Sequence, residues 1–124
     1  MAGFAGLISF VGAIMALLLP PTVVTFSATP TFDGSLGNYF RITLTGNVTS
    51  STLSNCSDGE LIIIEIIQNA TGGWTFVWPT NIVGGMDLSG AANDSNLANI
   101  VVTQVFIFDN NAGKAYPLAP GSYN

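Results

Sequence analysis

Between Tyr39 and Asn81 the chain repeats one device: apolar, β-branched or aromatic residues alternate with small polar ones, and each short run ends at Gly, Asn or Asp. A period of two sends successive side chains to opposite faces of a strand. In Tyr39-Phe-Arg-Ile-Thr-Leu-Thr45, Phe40, Ile42 and Leu44 point one way and Tyr39, Arg41, Thr43 and Thr45 the other, which predicts a half-buried strand. Gly46-Asn47 is a tight-turn signal, and Val48 to Leu53 reads as a short Ser/Thr-rich strand or edge. After Ser57-Asp-Gly59 comes Leu61-Ile-Ile-Ile-Glu-Ile-Ile67, an apolar run too short for a spanning helix and rich in β-branched residues, which favours a central strand. Glu65 interrupts it, so the face it occupies must meet solvent, a partner chain or Arg41. Asn69-Ala-Thr-Gly-Gly73 is the next turn, Trp74 to Trp78 the next strand, and Pro79 ends it.

The flanks follow the same pattern. Thr22 to Phe26 reads as a first strand, and residues 27–37 as a loop punctuated by Pro30, Gly34 and Gly37. Met86 to Asn99 is a long polar loop, Ile100 to Phe108 a strong strand, and Asp109-Asn-Asn-Ala-Gly113 a hairpin turn into Lys114-Ala-Tyr-Pro-Leu118. No helical period follows residue 21, and no repeat of fixed length is evident. The expected fold is all-β: an antiparallel β-sandwich or jelly-roll-like domain over residues 22–124, preceded by an apolar N-terminal helix within a leader of residues 1–21.

Residues 1–19 hold no charged side chain and stop at Pro20-Pro21, where fixed φ and missing amide hydrogens end a helix. The length suits a bilayer span. Ala2 with Gly6, and Ala5 with Ser9 and Ala13, place small residues at the spacing that permits close helix-to-helix approach. Three readings stand open: a retained membrane anchor or assembly helix, a secretory signal that lacks the usual basic start because no Lys or Arg precedes Arg41, and a gene start upstream of the true one at Met15.

Charge narrows the function. Only 7% of residues are charged and the net charge is −5, with Arg41 and Lys114 the sole basic side chains. Without a basic patch there is little to neutralise phosphates, so nucleic acid is a poor partner. The chain has no His and one Cys, which removes the usual general base, the commonest metal ligand and any intrachain disulfide. Cys56 sits in a polar Asn-Cys-Ser-Asp-Gly turn and reads as an incidental free thiol. No catalytic residue, cofactor or metal site is expected, and a surface of Ser, Thr, Asn and Gly suits permanent packing against other chains.

The segments Phe32-Asp-Gly-Ser-Leu-Gly-Asn38, Ile42-Thr-Leu-Thr-Gly-Asn-Val-Thr-Ser-Ser-Thr-Leu-Ser-Asn55, Ile66-Ile-Gln-Asn-Ala-Thr-Gly-Gly-Trp-Thr-Phe-Val-Trp-Pro-Thr-Asn81 and Gly84-Gly85 together carry a resemblance. Over roughly Val23 to Tyr116 the chain resembles a short β-module of tailed-phage tail-fibre and virion-appendage proteins. The resemblance implies a structural role in a virus particle, as a homotrimer or other symmetric assembly with contacts to other virion proteins.

Three constellations invite chemistry. Trp74, Phe76 and Trp78 share one strand face by the two-residue period, so they form either a sandwich core or an exposed row on which a host glycan stacks; core burial is the preferred reading. Asp87, Asn93, Asp94, Asp109, Asn110 and Asn111 offer oxygen ligands but lack the spacing of a calcium loop, and turn formation accounts for them. Glu60 and Glu65 fall on opposite faces of a strand, which removes the geometry of a hydrolytic carboxylate pair. The sequons at Asn47, Asn55, Asn69 and Asn93 matter only in a glycosylating route. The expectation is therefore a non-enzymatic structural protein of a virion, assembled in the host cytoplasm as a homo-oligomer. The alternative is a cell-surface or pilus-like adhesive subunit whose leader is a secretion or membrane signal through residues 1–19.

Overall fold

The computed structural model describes residues 20–90, 94–119 and 122–123. The helix expected over residues 1–19, with its membrane-span and signal readings, lies outside the described residues, as does Asn93. The described chain is almost entirely β: β1 (Thr22–Val24), β2 (Thr31–Asp33), β3 (Tyr39–Leu44), β4 (Thr52–Ser54), β5 (Leu61–Gln68), β6 (Val101–Asp109), β7 (Lys114–Pro117) and β8 (Ser122–Tyr123), with one short 3-10 turn at Asp94–Asn96. Among the described residues no helix is long and apolar enough to cross a membrane.

Topology departs from the expected antiparallel arrangement. The large sheet runs β1-β3-β5-β6-β7, with β8 also paired to β6. β1 with β3 and β3 with β5 are parallel, whereas β5 with β6, and β6 with β7 and β8, are antiparallel. Parallel neighbours need a crossover rather than a hairpin. Here each crossover carries a strand: β2 lies between β1 and β3, β4 between β3 and β5, and the two pair with each other in parallel, Phe32 opposite Leu53. β2 falls within residues 27–37, where a loop was expected.

The core lies between the large sheet and this cover layer. Phe40, Ile42, Leu44, Ile62, Ile64, Ile66, Val102, Phe106 and Phe108 supply it from the sheet, and Phe32, Val48, Leu53, Phe76 and Leu88 from above. Phe32 meets Phe40 edge to face with ring centroids 5.7 Å apart, and meets Phe76 at 6.1 Å. Fully burying one such ring stabilises the fold by about 2–3 kcal/mol, so these contacts fix how the small pair seats on the large sheet.

The segment expected as a strand over Trp74–Trp78 carries only an isolated bridge, Phe76 with Val48. Its backbone N–H groups are satisfied in four different ways: Trp74 donates to Gln68 Oε1, Thr75 to Asn47 Oδ1, Phe76 to the Leu88 carbonyl and Val77 to the Val48 carbonyl. No continuous ladder forms, because side-chain amides take two of the four bonds and the other two go to separate segments of backbone.

Candidate functional site

Two surfaces stand out, one on each side of the large sheet. On the cover side, the residues of the aromatic row take different positions. Phe76 is buried in the core at 3% exposure, and Trp74 and Trp78 are half-buried against it. Both indole N–H groups are used internally, Trp74 Nε1 donating to Asn69 Oδ1 and Trp78 Nε1 to the Met86 carbonyl, each at 2.8 Å. Trp78 stands edge to face against Phe76 (5.1 Å) and Phe106 (5.7 Å). Gly85 lies on its ring so closely that a Cβ there would come within 2.6 Å of the indole carbons. The three aromatics are thus a core member and two flanking residues rather than one continuous exposed platform. Beside them a cleft of about 540 Å³ opens between residues 75–78 and 85–89, lined by Phe76, Trp78, Met86 and Leu88 with Asp87 and Ser89 at its rim.

Two buried glutamines, Gln68 and Gln104 on the core faces of β5 and β6, hold this cover in place; sequence reasoning missed both, because these strands are apolar on both faces and no alternation assigns either glutamine to the core. Gln104 donates from Nε2 to the Gly84 carbonyl at 2.8 Å and accepts at Oε1 from the Met86 N–H at 2.9 Å. Asn96 adds a bond from Nδ2 to the Trp74 carbonyl at 2.7 Å. In a chain with few charges, amides do the polar work of the interior.

The other sheet face is built differently. Strand pairing sets out its rows: Val23, Arg41, Glu65 and Thr103 in one, Tyr39, Ile63 and Val105 in another, Leu61, Ile107 and Tyr116 in a third, and Thr43, Ile67 and Val101 in a fourth. The six aliphatic side chains from β5 and β6 are half-buried, against near-complete burial of their neighbours on the core face. At the edges Val23 is 71% and Tyr116 37% exposed. In the middle, Glu65, only 9% exposed, is bound by Arg41 Nε and by Tyr39 Oη, the latter at 2.7 Å. The interruption at Glu65 is resolved by Arg41. That carboxylate accepts a hydrogen bond from Tyr39, which with burial pushes the phenol above its usual range, and it also raises Arg41.

The remaining candidates are local. Asp109 Oδ1 accepts from the Asn111 and Ala112 N–H groups, and Asp87 Oδ1 from Ser89, which is turn geometry. Among the described residues no group of three or more His, Cys, Asp or Glu is placed to hold a metal ion. Glu60 caps a turn by accepting from the Ser57 N–H at 2.8 Å. Cys56 is a half-buried free thiol whose pKa is pushed up to about 11, chiefly by desolvation and then by the charges of Glu60 and Asp33. No family model, curated protein or solved structure matches this chain.

Proposed function

We propose that this chain is a non-enzymatic structural module of a virus particle, a tail-fibre, appendage or decoration subunit that assembles with copies of itself. The observation that carries the reading is the second sheet face, a largely apolar surface whose charges, Glu65 with Arg41 and Asp109 opposite Lys114, balance, on a chain whose core lies on the other side. Apolar sheet surface of this kind is a liability in a free monomer and an asset in a permanent assembly. The resemblance of the Phe32–Asn38, Ile42–Asn55 and Ile66–Asn81 segments to tail-fibre modules points the same way. In this reading the large sheet and the β2–β4 pair act as a small sandwich, stacked rather than used for chemistry.

The test is native mass spectrometry and sedimentation of the full chain, taken from the particle that carries it. A stable homo-oligomer recovered with the particle supports the proposal, and a monomer at micromolar concentration overturns it. A second reading, an adhesive subunit at a cell surface, draws on the cleft beside Trp78. Saturable binding of an oligosaccharide that is lost in Met86→Glu, on a chain that stays monomeric, would favour it over the first.

A further inference from the structure

We propose that the sheet face centred on Glu65 is where a second copy of this chain docks; the inference rests on the self-assembling reading and names its surface. Leu61, Ile63, Ile67, Val101, Val105 and Ile107 share this face, and none of them belongs to the core cluster or to the side chains packed on it. Val23 and Tyr116 extend the apolar surface to both edge strands.

Charge selects the occupant. The chain carries a net −5, yet the charges on this face balance: Arg41 is bonded to Glu65, and Lys114 stands opposite Asp109 where β6 and β7 meet their turn. The other carboxylates, Asp33, Asp58, Glu60, Asp87 and Asp94, lie outside its rows. Two acidic copies therefore approach through this surface with less like-charge repulsion than through surface that carries those carboxylates. A strongly basic partner would find nothing on it to recognise.

Size agrees. The strands β1, β3, β5, β6 and β7 hold 3, 6, 8, 9 and 4 residues, and at about 3.3 Å per residue and about 4.8 Å between strands they give a face of roughly 500 Å². Two such faces bury about 1,000 Å², the lower bound of specific interfaces and above most incidental contacts. The half-buried Glu65–Arg41–Tyr39 cluster at the centre then fixes register, since any slip sets a charge against an aliphatic row.

The experiment uses the full chain in three forms: wild type, Val23→Glu with Tyr116→Glu, and the control Val77→Glu, an exposed valine on the cover side. Sedimentation equilibrium is read alongside the far-ultraviolet spectrum. The expected result is an oligomeric wild type, self-association weakened on the order of 100-fold in the double variant with its fold intact, and no change in the control. A photo-crosslinker at Tyr116 should capture residues 23–107 of another copy. If the wild type is oligomeric but only the control dissociates, or if the crosslinker captures residues 1–19 of its own chain, the face is not the copy-to-copy contact and the inference falls while the assembly reading survives. A monomeric wild type sinks both.

Discussion

Gln68 and Trp74 pair as two strands would: the Gln68 side chain accepts from the Trp74 N–H at 3.1 Å and donates to the Trp74 carbonyl at 2.8 Å. One amide group thus reproduces both bonds of a ladder pair from a position with 1% exposure. Gln104 repeats the arrangement on the neighbouring strand, gripping Gly84 and Met86. The cover is pinned to the sheet at two buried points, which ties loop conformation to core integrity.

Replacing Gln68 by Leu keeps volume and removes both bonds. The Trp74 carbonyl retains Asn96, but its N–H loses its partner, so Gln68→Leu should cost about 1–3 kcal/mol, the penalty of an unsatisfied buried donor. Urea unfolding followed by tryptophan emission checks it. A cost under about 0.5 kcal/mol would mean that the loop reaches water without the glutamine.

What was legible in the chain was parity. The alternation in Tyr39–Thr45 put Phe40, Ile42 and Leu44 in the core, where they are, and the aliphatic run of β5, broken only by Glu65, marked a central strand, which it is between β3 and β6. Pairing direction was not legible, because parallel partners are joined by residues 25–38 and 45–60, and no local turn encodes which strands those crossovers bring together. β2 escaped because Thr31-Phe-Asp33, between Pro30 and Gly34, is too short to display a period. The Trp74–Trp78 segment has strand composition, but its hydrogen bonds go to Gln68, Asn47, Leu88 and Val48. Gln68 and Gln104 were not read as buried, because β5 and β6 are apolar on both faces and their parity toward the core emerges only from the strand pairing.

Gly85 is where the indole of Trp78 leaves no room for a side chain. A Cβ 2.6 Å from three ring carbons forces the loop or the ring to move, so Gly85→Ala should destabilise by about 1–3 kcal/mol, the usual cost of overpacking. Trp78→Phe should recover part of that loss when combined with Gly85→Ala, giving a non-additive double-mutant cycle. Strict additivity would show that the clash is relieved elsewhere.

Cys56 should be slow to alkylate in the native state. With its pKa raised from 9.0 to about 11, the thiolate fraction at pH 8 falls by about two orders of magnitude relative to an ordinary cysteine, and the thiolate is the nucleophile. Iodoacetamide labelling at pH 8, with and without denaturant, measures this. Native labelling as fast as that of the unfolded chain would place the thiol in water.

The Tyr39–Glu65 bond contributes stability that alkaline pH removes. Tyr39 is raised first by donating to Glu65 and then by burial, so the folded chain holds the phenolic proton more tightly than the unfolded one, whose value is near 10. The resulting stabilisation is fully present below pH ~10 and is lost as pH rises through the folded pKa. Cys56 titrates in an overlapping window with the same sign, so the comparison belongs in a Cys56→Ala background. There, unfolding free energy should fall between pH 9 and pH 11.5 more steeply with Tyr39 than in Tyr39→Phe, which has no proton to lose. The difference should shrink when Glu65→Gln removes the carboxylate that holds the proton in place. Equal slopes with and without Tyr39 would show that the phenol is as free in the fold as in the unfolded chain, and that Arg41 alone neutralises Glu65.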